Sequence, residues 1–190
     1  MTVGLKDSSR RTSTSDPIRV DFLPFPLPGR VGLTFAPGKC DGSRWQRSLA
    51  QDLDRLQGHY GVSHLVSLIE DHELAQYGIG NLYPEAERRG IAIHRFPISD
   101  VSVPAGVESV APLAKKIGEW AAVRERVVIH CIGGLGRTGT VAGCFLVEQG
   151  VDAARALKVL REVRAPNCPE TEEQREFVRR YERWRRTHGQ

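Results

Sequence analysis

Apolar residues follow two rhythms along this chain. Nearly unbroken apolar runs at 31–35, 64–69, 91–96 and 127–130 have the length and β-branched character of buried strands. Between them, apolar positions recur every three or four residues, the spacing of one helix face. Trp45, Leu49, Leu53 and Leu56 share such a face, with Ser43 as the expected cap and an end near Gly58. Short helices are expected at 73–77 and 82–89. Longer ones should run through Val107, Val110, Ala114, Ile117 and Ala121, across 141–147, and from an Asp152 cap through Ala156, Leu157, Leu160 and Val163. A last helix sets Phe177, Val178, Tyr181 and Trp184 on the side that docks to the body. This alternation predicts an α/β fold: a mainly parallel central sheet flanked by helices on both faces. Ligands of such sheets bind beyond the carboxyl ends of the strands.

Composition narrows the setting. A length of 190 residues suits one domain, expected at 18–190, after a disordered, basic, Ser/Thr-rich tail at 1–17. No apolar run approaches the roughly 20 residues of a membrane span, and the N-terminus lacks the apolar stretch of a secretory signal. Cys40, Cys131, Cys144 and Cys168 form no CxxC pair, which argues against a disulfide framework or zinc site and for a reducing, cytoplasmic compartment. A net charge of +4 is too modest and dispersed for a nucleic-acid partner, but it helps to draw anionic substrates. The arginines of the last helix alternate with glutamates, as on a solvated face.

The chemistry concentrates in one turn, His130-Cys131-Ile132-Gly133-Gly134-Leu135-Gly136-Arg137-Thr138, between a strand and a helix. An isolated thiol has a pKa of about 8.5, but a helix N-terminus and a neighbouring cation can draw a thiol down to roughly 3.5–7.5. Cys131 is therefore the candidate nucleophile. The glycines let successive N–H groups of residues 132–136 point inward as an anion nest. Arg137, after five intervening residues, can grip two phosphoryl oxygens with its planar fork. Thr138 can donate its hydroxyl to the sulfur when it leaves. A general acid is still needed, and Asp100 fits: it follows a strand, in a loop bracketed by Pro97 and Pro104 at the expected edge. Asp71 is the reserve.

These residues resemble the signature of cysteine-based protein phosphatases of the dual-specificity class: His-Cys, five residues, then Arg and Ser or Thr. The segments Phe35-Ala36-Pro37-Gly38, Glu73-Leu74, Asn81-Leu82, Pro97-Ile98, Asp100 and residues 133–137 are similar to the cyclin-dependent-kinase-associated subgroup. The resemblance implies the cysteine phosphatase fold and a monomer without metal or organic cofactor. Its substrate would be a phosphorylated protein or peptide, on tyrosine or on serine/threonine. It also implies that His130 hydrogen-bonds near the loop and tunes the thiol, and that Gln174 matches a glutamine some branches use near the catalytic water. Glu170 departs from that pattern, and Ile69 stands where some relatives carry a resolving cysteine.

Other readings explain less. Gly134-x-Gly136-x-x-Gly139 spells a dinucleotide fingerprint, but it lies too late in the chain for the usual sheet to continue, and it leaves Cys131 and Arg137 idle. A phosphopeptide-binding pseudophosphatase needs no nucleophile and acid, yet both are present. Persulfide-transfer loops lack the Arg-Thr-Gly continuation. Phosphoinositide phosphatases tend to place lysines in the loop, whereas residues 132–136 carry no charge.

Overall fold

In the computed structural model, which describes residues 10–188, the apolar runs of the sequence lie side by side. Strands β1 (Asp21–Phe22), β2 (Arg30–Phe35), β3 (His64–Ser67), β4 (Ala92–Arg95) and β5 (Arg126–Cys131) form one sheet in the order β1-β2-β5-β3-β4. All pairings are parallel except that of β1, an antiparallel edge strand that the sequence pattern did not reveal. β5 is central, and its last five residues are buried, as expected of a parallel strand covered on both faces.

Among the described residues, seven α-helices accompany the sheet: α1 (Leu49–Asp54), α2 (Asp71–Gln76), α3 (Leu82–Glu87), α4 (Val107–Ala122), α5 (Gly136–Glu148), α6 (Ala153–Val163) and α7 (Glu172–His188). α5 is the core helix, buried from Gly136 to Val147 and surrounded by α4, α6 and α7. A Cβ on Gly143 would stand 2.8 Å from a methyl of Val178, so glycine permits the close approach of α5 and α7. α1 and α3 pack on each other elsewhere.

Two expectations are corrected. Ser43 does not start a helix: the Asp41 carboxylate collects the amides of Ser43 and Trp45, closing a local turn that competes with helix. Ser48 caps α1 instead, accepting from the Gln51 amide, and α1 continues as a π-helical turn, Arg55–His59. Of the expected tail, residues 1–9 lie outside the described residues, whereas 10–17 run along the body. The buried Arg47 forms a two-pronged pair with the buried Asp52, at 2.8 Å for each prong. It also donates to the carbonyl of Asp16 at 2.7 Å. Ser13 accepts from the Ser48 amide and is itself buried. An ion pair in the interior thus holds a segment whose polarity suggested solvent.

Candidate active site

β5 delivers Cys131 to the carboxyl edge of the sheet, opposite Phe35 of β2, and α5 begins five residues later. The loop between them bends at Gly134, whose φ of +70° and close approach to Thr34 (2.2 Å from the position of a Cβ to its carbonyl oxygen) admit only glycine. Its outer rim is made of carbonyls that cations hold. Lys39 Nζ donates to Ile132 O at 3.2 Å, and Arg164 donates to Gly134 O at 2.9 Å and Gly133 O at 3.3 Å. A trans peptide points its N–H opposite to its C=O, so these contacts turn the following amides inward. The amide of Gly134 does point at the Cys131 sulfur, 3.2 Å away. Cys131 is 3% exposed.

Arg137, in the first turn of α5, lies beside that sulfur with 2% exposure. Its Nη1 and Nη2 donate to the two carboxylate oxygens of Glu73 at 2.7 and 2.8 Å, and Nη1 also donates to Ile98 O at 2.9 Å. Nη2 lies 2.9 Å from Asp100 Oδ1. Burial works against the Arg137 charge, but the Glu73 hydrogen bonds, with the Cys131 sulfur and Asp100, more than offset it and push the guanidinium above its ordinary value. Burial likewise opposes ionisation of Glu73. Arg137 and the Glu70 amide outweigh it and hold the carboxyl below its usual range. Glu73 sits where it does because α2 opens with a capping box, the Glu70 amide donating to Glu73 at 2.8 Å. Nothing in the local sequence marks Glu73 as a partner of Arg137; only the acidic pair flanking the helix start hints at a fixed carboxylate.

The structure brings Asp100, not Asp71, to the arginine. Asp71 is bound by Arg95. The Asp100 loop is held by Gln174 of α7, which donates to Ser102 O at 3.1 Å, and its next residue, Val101, has a φ of +59°, a strained value for a β-branched side chain.

Two buried side-chain atoms among the described residues lack a hydrogen-bond partner: Nε2 of His130 and Oγ1 of Thr138. Thr138 therefore does not hydrogen-bond the sulfur in this arrangement. His130 is fully buried, its Nδ1 3.4 Å from the Cys131 carbonyl, and burial pushes the imidazole down to about 4, so it is neutral at pH 7. Glu170 accepts the Gly136 amide at 3.0 Å, placing a carboxylate on one N–H of the cradle. The cysteines are all free, and burial pushes Cys144 up and Cys168 up to about 12, leaving both as inert thiols. Among the described residues, no helix is long and apolar enough to cross a membrane, and no cluster of three His, Cys, Asp or Glu side chains is arranged for a metal.

Comparison with known proteins places the chain in a family and a fold. The family model described as "PTP-SAK: Swiss Army Knife protein, DSP-PTPase phosphatase domain" matches residues 35–183. Cyclin-dependent kinase inhibitor 3 of Rattus norvegicus is 27% identical over 186 residues, which span 92% of this chain and 85% of the relative. Among solved structures, kinase associated phosphatase (KAP), with serine substituted for its catalytic site cysteine, superposes with a TM-score of 0.82 at 23% identity, covering 90% of this chain and 97% of the other. Tk-PTP in its active form is 31% identical with a TM-score of 0.67, covering 82% and 92%. The chain belongs to the DSP-PTPase phosphatase domain family and is a phosphatase.

Proposed function

We propose that the protein hydrolyses phosphate monoesters on protein side chains, tyrosine or serine/threonine, through a phosphocysteine on Cys131. The observation that carries this is the sulfur at the base of a loop whose carbonyls are turned out, with an amide aimed at it and the charge of Arg137 acting on it, Asp100 lying 2.9 Å from that arginine. In the first step a sulfur–phosphorus bond forms, the ester P–O bond breaks, and Asp100 gives its proton to the leaving oxygen. In the second, water attacks phosphorus and returns a proton to Asp100 while the sulfur departs. The unpartnered Thr138 hydroxyl is available to donate to that sulfur, and the amides of residues 132–136 hold the equatorial oxygens.

A guanidinium has five N–H donors. At rest, Nη1 spends its two on Glu73 and Ile98 and Nη2 spends one on Glu73, while Nη2 also makes an ion-pair contact of 2.9 Å with Asp100 Oδ1. That leaves the Nε hydrogen and the second Nη2 hydrogen for a two-pronged grip on phosphate. A phosphate held there replaces the Asp100 carboxylate as the partner of Arg137, and Asp100 serves as the acid once it has taken up a proton from water.

The uncharged loop residues favour a phosphoprotein over a polyphosphorylated lipid headgroup. The relatives act in the same sense, one being a kinase associated phosphatase. Only Val101 and Val123 are exposed large apolar residues among those described, which suits a monomer, and four free thiols suit a reducing, cytoplasmic setting. The test is phosphate release from a phosphopeptide panel with a phosphoinositide control, in chelator, with Cys131→Ser as a trap. Release should need no added metal and vanish in the variant. Wild-type turnover by Cys131→Ser would end the assignment.

A further inference from the structure

The resting site is poor in positive charge for one that must hold a thiolate and then a phosphate dianion. Arg137 is matched by Glu73 and contacted by Asp100, and Glu170 adds a carboxylate at Gly136. His130 is neutral. Of the other cations near the loop, Arg164 is paired with Asp21 at 2.6 Å and Arg47 with Asp52.

Lys39 is different. It follows β2, is 5% exposed, and has no carboxylate within ion-pair distance among the described residues. Its ammonium lies 3.9 Å from the centre of the Trp45 ring and 4.8 Å from that of Phe35, the residue paired with Cys131 across the sheet. Its hydrogen bond is to the carbonyl of Ile132, the residue after the cysteine. Aromatic faces replace only part of the hydration an ammonium loses. The charge is left against the loop at Ile132, one residue from the sulfur.

We propose that Lys39 is a positioning residue of the reaction: it holds the first loop carbonyl outward, and its unmatched charge keeps Cys131 ionised. The proposal rests on the reading of Cys131 as nucleophile. The electrostatic surroundings agree with it. Burial lowers Lys39 to about 8, the Cys131 sulfur opposes that fall, Arg47 and Arg164 deepen it, and Asp41 opposes it weakly. Linkage makes the effect reciprocal: whatever factor Lys39 contributes to the thiolate, the thiolate returns to the ammonium.

The pH dependence of Cys131 alkylation by neutral iodoacetamide, with the adduct located by peptide mass spectrometry, tests the charge. Lys39→Gln keeps a donor for Ile132 and removes the charge; Lys39→Arg keeps both. The midpoint should rise by about one pH unit in Lys39→Gln and return towards wild type in Lys39→Arg, a tenfold change in thiolate. A folded Lys39→Gln with the wild-type midpoint overturns the proposal, since a merely structural lysine would leave that midpoint in place. A second measurement needs no change at Lys39: NMR titration of its side chain in wild type and in Cys131→Ser. The ammonium midpoint should fall by a similar amount when the thiolate is absent, and an unmoved midpoint refutes the coupling. If wild-type Cys131 alkylates like an ordinary thiol, the nucleophile assignment fails and this proposal with it. A low wild-type midpoint unaffected at Lys39 sinks the lysine alone.

Discussion

Glu73→Gln probes the contact that most constrains the site. The carboxylate is 3% exposed and receives two N–H bonds from an arginine that is 2% exposed. The amide keeps the shape but loses the charge, and one end then presents N–H to N–H. Removing one partner of a buried pair costs about 3–5 kcal/mol, chiefly by stranding the other charge. For a domain of this size that corresponds to a fall of roughly 6–20 °C in Tm. Thermal and urea melts measure it, and kcat/KM on a phosphopeptide should fall too, because the Arg137 fork is no longer aimed. If stranding is the cause, adding Arg137→Met should recover part of the lost stability, since an apolar residue has no charge to bury. A single variant melting with wild type, or a double variant whose losses simply add, would refute the reasoning. The pair also has a pH signature. The Glu73 carboxyl is held below its ordinary value in the fold, so its contribution is complete above the unfolded value and is lost as pH falls through the folded one. The Gln variant should lose that portion of the acid-side slope.

Asp100→Asn should slow turnover of an alkyl phosphate by about 10²–10⁴-fold while orthovanadate binds as tightly as before or more tightly, because the carboxylate charge beside Arg137 is removed; weaker vanadate binding would contradict that competition. Arg137→Lys should impair both vanadate affinity and kcat, since an ammonium cannot offer a planar fork, and steady-state kinetics with unchanged values would dismiss the clamp. His130 is held at about 4 in the fold against 6.5 unfolded, so the unfolded chain takes up a proton first and stability drops by about 3 kcal/mol as pH falls from 6.5 to 4. Chemical denaturation of His130→Gln across that window should show a flatter profile, and an identical slope would place the proton elsewhere.

What was legible in the sequence was local. The strand, the glycine turn and the helix are contiguous, so Cys131, the amides and Arg137 meet whatever the rest of the fold does. Asp100 was accessible because a loop after a strand must open at the same edge. Glu73, Lys39 and Glu170 were not, because each meets the loop from far along the chain: Glu73 is 64 positions from Arg137, and Lys39 is 93 from Ile132. The misplaced helix start and the docking of residues 10–17 on the body share a cause. Asp41 outcompeted helix formation near Ser43, and Arg47 with Asp52 drew polar backbone inward, because a satisfied buried pair permits what composition alone advises against.

The resting site is filled by anions of its own. Glu73 and Ile98 take three of the five N–H donors of Arg137, Asp100 makes an ion-pair contact with Nη2, and Glu170 accepts the Gly136 amide. Unmet donors in a buried cradle would each cost about 1–3 kcal/mol, so Glu73 and Glu170 stabilise the empty enzyme by accepting them. They do not stand equally firmly. Glu73 is buried and bound twice, whereas the Asp100 side chain is 69% exposed and makes a single contact. An incoming dianion therefore displaces Asp100 and leaves Glu73, so the arginine stays aimed while the acid is set free. The same asymmetry limits how tightly inorganic phosphate can stay bound, because the displaced Asp100 carboxylate competes for the place beside Arg137.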